Sequence, residues 1–90
     1  MSIMNDRRKR ILYRATHRGT KEADFVVGGF FREHTAALPD GKLDEADALL
    51  DVLDLDLMDW LMGRQPVPDT WSGTLFDDLL AYYLKLKAGL

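Results

Sequence analysis

Groups able to do chemistry are scarce in this chain. Its 90 residues include two histidines, no cysteine and fifteen carboxylates. Without cysteine there are no disulfides, thiolate zinc sites or cysteine nucleophiles, which suits a reducing compartment. His34 falls four residues after Phe30 on an apolar stripe, where a hydrogen-bonded core histidine is expected rather than a ligand or base. His17 stands beside Arg18-Gly19, either touching a partner or closing a helix C-terminus. No HExxH, P-loop, GxGxxG or nucleophile elbow occurs. The carboxylates crowded between Asp40 and Asp59 lack the spacing of a calcium loop. No basic partner is evident that would set them up for acid–base work, so a solvated helix face is expected. The chain is expected to be neither an enzyme nor the holder of a metal or a tightly bound cofactor.

One short segment resists a purely structural reading: Arg18-Gly19-Thr20-Lys21-Glu22, followed by Ala23 and Asp24. Gly19 is suited to end one helix, and Glu22 suits the positive N-terminal end of the next. That leaves Arg18 and Lys21 unexplained at a junction already preceded by basic residues. Exposed together, Arg, backbone N–H groups and Glu would offer donors and an acceptor to a polar partner surface.

The elements that must position this segment read as helices, since β-branched residues are few. The first is expected over Asp6–His17, capped by Asn5 or Asp6, with a narrow stripe of Ile11, Leu12 and Ala15 and much of its basic face in water. The second runs from after Gly19 to about Ala37 and buries Ala23, Val26, Val27, Phe30, Phe31 and Leu38. Gly28 and Gly29 fall on its other side, so that the helix bends there or a backbone comes close. After the turn Leu38-Pro39-Asp40-Gly41, Asp44 is expected to cap a third helix with an apolar arc of Leu43, Ala46, Leu49, Leu50 and Leu53. Asp44, Glu45, Asp47, Asp51 and Asp54 would take its polar face.

A short fourth helix is expected over about Asp56–Met62, ended by Gly63. Pro66 and Pro68 point to an extended connection over 64–72. Thr74 and Asp77 suggest a capping box for a last helix reaching about Lys87. The fold class is all-α: a compact bundle of about five short helices in one domain over 1–90, with 1–5 disordered and 88–90 frayed. No apolar run approaches the roughly 18 residues of a membrane span.

Charge is divided unevenly. Residues 1–22 hold seven basic and two acidic residues, whereas 23–90 hold five basic and thirteen acidic ones. Either the basic segment orients a partner electrostatically, or it packs across the acidic remainder. An Arg-rich N-terminus also suggests a mitochondrial presequence. Cleavage there would remove the distinctive segment, and a bacterial cytoplasmic protein is the simpler expectation, with the mitochondrial matrix if the source is eukaryotic. A basic helix also raises nucleic-acid binding, against which stand the acidic body and the lack of interleaved aromatics other than Tyr13. A generic helical adaptor is a third reading.

The stretch from Arg10 through Asp24 resembles the N-terminal signature of the succinate dehydrogenase assembly factors, the flavinator family. That signature is Arg-Gly-x-x-Glu after a basic helix with an aromatic residue at Tyr13. Gly28 and Phe30 continue the likeness, and Asp54-Leu55-Asp56-Leu57-Met58-Asp59-Trp60-Leu61-Met62-Gly63 resembles the family's second motif. The resemblance covers about residues 7–70. It implies a non-catalytic assembly protein that binds the flavoprotein subunit of succinate dehydrogenase, and in bacteria also fumarate reductase, and promotes covalent attachment of FAD to a histidine there. It makes Arg18, Gly19 and Glu22 the partner-binding residues, with Tyr13, Arg14, His17 and Asp24 beside them. FAD would belong to the partner and the free protein would be a monomer. Thr20, Lys21 and Ala23 depart from the family pattern and leave the flavoprotein's identity open. Trp60 is read as core.

Overall fold

In the computed structural model, residues 4–89 are described. Five α-helices follow one another: α1 (Asp6–Thr16), α2 (Lys21–His34), α3 (Leu43–Leu50), α4 (Asp54–Leu61) and α5 (Leu75–Ala88). Short 3-10 turns stand at Thr35–Ala37, Asp40–Lys42 and Asp69–Trp71. There is no strand among the described residues. The principal dimensions are 42 × 28 × 23 Å.

Helices α1, α2 and α5 start where polar side chains can satisfy their first N–H groups. Asn5 caps α1 by accepting from the Arg8 N–H, Thr20 caps α2 by accepting from Ala23, and Thr74 caps α5 by accepting from Phe76. The expected disorder over 1–5 does not extend to Asn5, and residues 1–3 and Leu90 lie outside the described part. Asp77 accepts from the Gly73 N–H rather than from Thr74, so the box closes one residue further back than expected. Asp44 is not a cap: α3 follows directly from the 3-10 turn Asp40–Lys42, and Asp44 lies within its first turn.

The core is one cluster. α2 contributes Ala23, Val26, Val27, Phe30 and Phe31, α1 adds Ile11 and Ala15, and α3, α4 and α5 close it with leucines, Met58 and Phe76. Phe30 and Phe31 meet edge to face at 5.1 Å. Buried side chains of this size each contribute about 1.5–3 kcal/mol. Trp60 packs against this cluster and meets Phe76 edge to face at 6.1 Å.

Of the two alternatives for Gly28 and Gly29, close approach is the one realised. A side chain at Gly28 would lie 3.3 Å from the Ala15 carbonyl oxygen of α1, and Gly29 faces the Tyr82 hydroxyl of α5. Thus α2 is crossed on both flanks at consecutive positions.

Several expectations fail for tertiary reasons. α2 ends at His34 and tightens into a 3-10 turn, which leaves His34 exposed, tilted against the Phe30 ring at 4.6 Å, instead of buried in the core. α3 stops at Leu50, and Leu53 and Asp54 pass from its apolar and polar faces to the start of α4. The connection after Gly63 is not wholly extended, since it includes the turn at Asp69–Trp71.

The acidic stretch is not simply a solvated face. Arg7 pairs with Asp44 and Asp47 at 2.5 and 2.9 Å, and Arg14 with Asp47 and Asp51 at 3.4 and 2.5 Å. Buried Arg8 donates to the Thr35 and Leu38 carbonyls and to Asp40, closing the C-terminal end of α2. The basic segment therefore packs across the acidic one through Arg7, Arg8 and Arg14, while Lys9 and Arg10 of α1 are exposed to water.

Candidate functional site

Between α1 and α2 the chain reverses through His17, Arg18, Gly19 and Thr20. Helix α1 gives way at His17, whose Nδ1 lies 2.8 Å from the Tyr13 carbonyl and whose ring stacks on Tyr13 at 3.9 Å. Asp24, one turn into α2, accepts from the Arg18 backbone N–H and ties the reversal to the helix that follows.

The Arg18 side chain turns inward and keeps only 8% of its accessible surface. Its Nε donates to Asp54 Oδ1 at 2.6 Å, Nη1 to the Leu50 carbonyl at 2.7 Å and Nη2 to the Val52 carbonyl at 2.8 Å. Asp54 completes the arrangement, its Oδ2 accepting from the Gly19 backbone N–H at 2.7 Å. One carboxylate thus holds both the Arg18 side chain and the Gly19 main chain. One guanidinium in turn satisfies two carbonyls left open where α3 ends. Charge-assisted bonds of this kind are about twice as strong as neutral ones.

Gly19 is small for a different reason than expected. Positive φ occurs, among the described residues, only at Gly63 and Gly73. At Gly19 the constraint is spatial: an added Cβ would stand 3.2 Å from Asp54 Oδ2. The helix is ended at Thr16 with His17 as its cap, not by Gly19.

The expected site residues separate into two groups. Tyr13, Gly19 and Glu22 are exposed, and His17 is exposed beside Tyr13. Arg14, Arg18 and Asp24 are half-buried and engaged with Asp47 and Asp51, with Asp54, and with the Arg18 N–H respectively. The first group is open to solvent, and the second is engaged within the fold.

Two hollows flank this clasp. One of about 360 Å³ is bordered by Tyr13, His17, Gly19, Leu53 and Asp54. The other, of about 380 Å³, is bordered by Thr20, Glu22, Asp54, Leu55 and Arg64. Asp54 belongs to both, yet its role was missed by counting it on the polar face of α3. The available signal was its position at the head of the second motif. No group of three His, Asp or Glu is placed to hold a metal ion among the described residues.

The two stretches that carry the resemblance meet here, at Arg18, Gly19 and Asp54. The family described as flavinator of succinate dehydrogenase matches residues 9–83. The chain belongs to this family. Similar members include the FAD assembly factor SdhE of Acetobacter pasteurianus, 40% identical over 63 residues, covering 70% of this chain and 58% of that protein. Mitochondrial succinate dehydrogenase assembly factor 2 of Mycosarcoma maydis is 40% identical over 63 residues, covering 70% of this chain and 26% of its own length. The same factor of Schizosaccharomyces japonicus is 31% identical over 83 residues, covering 92% of this chain and 58% of its own. The chain thus spans under two thirds of the length of these family members. No solved structure matches it. The names of the related members describe assembly, not catalysis, and no described helix is long and apolar enough to cross a membrane.

Proposed function

We propose that this protein is an assembly factor that binds the flavoprotein subunit of succinate dehydrogenase and promotes covalent attachment of FAD to it. Fumarate reductase flavoproteins are a second substrate class for the same surface. The observation that carries the reading is the Asp54 carboxylate, which joins the Arg-Gly reversal to the second family motif through Arg18 Nε and the Gly19 N–H. Family membership over residues 9–83 supports it.

In this reading Gly19, Glu22, Tyr13 and His17 meet the flavoprotein, while Arg18, Arg14 and Asp24 hold them in position. Glu22 is exposed, so its carboxylate suits a cation or N–H donor on the flavoprotein. The chain's contribution is to favour the flavoprotein conformation in which the reacting groups are aligned, and alignment alone lowers a barrier substantially. The bond-forming chemistry belongs to the flavin and the partner's histidine. FAD is assigned to the partner; the Arg18 side chain is turned inward, with its Nε, Nη1 and Nη2 each donating to Asp54, Leu50 or Val52, which leaves that guanidinium poorly placed for a diphosphate.

The free protein is a monomer in this reading, and it works in the compartment that holds its flavoprotein, the bacterial cytoplasm or the mitochondrial matrix. Nucleic-acid binding is disfavoured by the engagement of Arg7, Arg8, Arg14 and Arg18 with carboxylates. The test is covalent flavin fluorescence on a denaturing gel. The flavoprotein from the same organism is produced with this protein, without it, and with Gly19→Arg. Fluorescence is expected only with the intact protein, and equal fluorescence in all three lanes refutes the reading for that partner.

A further inference from the structure

Resting on the flavoprotein reading above, we infer that Leu53 and Leu55 are apolar anchors for that same partner, one on each side of Asp54. Both are large aliphatic side chains left in water, 71% and 70% exposed, in a chain whose other leucines of α3 and α4 are buried. Isolated exposed leucines are ordinary. These two are not isolated in placement. Leu53 borders the hollow that contains Tyr13, His17 and Gly19, and Leu55 borders the one that contains Thr20 and Glu22.

Their setting follows from the clasp. Arg18 takes the carbonyls of Leu50 and Val52 and the carboxylate of Asp54, three alternate anchorages along a five-residue span. With that backbone fixed, the side chains between and beyond the anchor points are held outward at low conformational cost. An anchor that is ordered before binding loses less entropy on docking.

The occupant is fixed by continuity with the Arg-Gly surface. Asp54 Oδ2 lies 2.7 Å from the Gly19 nitrogen, and Leu53 and Leu55 are its chain neighbours, their Cα atoms about 3.8 Å from that of Asp54. A protein surface that covers Gly19 therefore covers both leucines. Tyr13, 63% exposed, extends the apolar rim on the Leu53 side, and Glu22 adds an acceptor on the Leu55 side. The matching surface on the flavoprotein carries two apolar contacts with a backbone donor or a cation between or beside them. Buried apolar anchors inside a polar rim are the usual carriers of interface affinity.

The experiment measures binding of the full chain to the succinate dehydrogenase flavoprotein from the same organism by calorimetry, with covalent flavin fluorescence alongside. The variants are Leu53→Ser with Leu55→Ser, and Leu84→Ser as a control. Leu84 is 52% exposed on α5 and borders neither hollow. The double variant is expected to melt within about 4 °C of wild type and to bind about tenfold or more weakly. Leu84→Ser is expected to bind as wild type does. Equal binding by the double variant, equal weakening by Leu84→Ser, or unfolding of the double variant overturns the anchors while leaving the flavoprotein reading intact. Wild-type protein that fails to bind overturns both.

Discussion

Replacing Asp54 by Ala separates the clasp from the rest of the fold. The substitution removes the acceptor of Arg18 Nε at 2.6 Å and of the Gly19 N–H at 2.7 Å, and leaves Arg18 with only the two carbonyls. Breaking a fully buried ion pair costs about 3–5 kcal/mol because a charge is stranded. Here Arg18 keeps two hydrogen bonds, and the Asp54 side chain is 18% exposed. The expected loss is therefore about 2–3 kcal/mol. For a domain of this size each kcal/mol moves the melting temperature by about 4–8 °C, so a fall of about 10–20 °C is expected. Thermal and urea unfolding followed by circular dichroism measure it. Arg18→Met should cost a similar amount, because it strands the Asp54 carboxylate and the two carbonyls. The double variant, with no charge left to strand, should lose about 1–2 kcal/mol less than the two single losses added together. A loss below about 0.5 kcal/mol for Asp54→Ala, or strict additivity in the cycle, would refute the clasp as the element that fixes the Arg-Gly reversal.

Other substitutions test other parts of the same scheme. Glu22→Ala, at an exposed residue, should weaken flavoprotein binding while changing stability by less than about 0.5 kcal/mol; calorimetry paired with a melting curve decides between the two effects. Asp47→Ala removes the carboxylate shared by Arg7 and Arg14; it should cost about 1 kcal/mol at low salt and less at high salt, read from urea curves at two ionic strengths. Gly29→Ala should destabilise the wild type by crowding the Tyr82 hydroxyl, yet be tolerated or favourable by up to about 1 kcal/mol in a Tyr82→Phe background. Burial, and then the charge of Glu33, raise the Tyr82 pKa. Since the folded value exceeds the unfolded one, this contribution to stability is complete below the unfolded pKa and is lost as pH rises through the folded one. An ultraviolet absorbance titration should show a tyrosine that ionises above the ordinary phenol range, and Tyr82→Phe should remove that step.

The fold was largely legible because apolar periodicity carries most of the information. The arc on α2 from Ala23 to Phe31 is buried as read, and the Asn5 and Thr74 caps start α1 and α5. The boundary between α3 and α4 was not legible. Leu53 continues the leucine arc of α3 in phase, and neither glycine nor proline separates Leu50 from Asp54. What accompanies the end of α3 is the Arg18 guanidinium, 32 residues earlier in sequence, bound to the Leu50 carbonyl. No local pattern contains that contact. His34 failed for a related reason. The apolar phase persists through it, but α2 yields to a 3-10 turn at Thr35, whose hydroxyl bonds to the Phe31 carbonyl and takes the buried place.

At the candidate site the residues of Arg-Gly-x-x-Glu were legible as a segment, but their division of labour was not. A sequence motif does not distinguish an arginine offered to solvent from one turned inward. Arg18 lies inward because Asp54 and two helix-end carbonyls await it, and Gly19 is constrained by the same carboxylate rather than by its own dihedral angle.

Arg18 and Asp54 stand 36 residues apart in the chain. The surface is therefore a property of the assembled fold and cannot be excised with its motif. A synthetic peptide spanning residues 10–24 would contain every letter of Arg-Gly-x-x-Glu and still lack the carboxylate that shapes it. A nascent chain interrupted before residue 54 would be equally blank. Long-range closure of this kind comes late because its loop entropy must first be overcome. Presentation of the reversal consequently reports that α4 is in place.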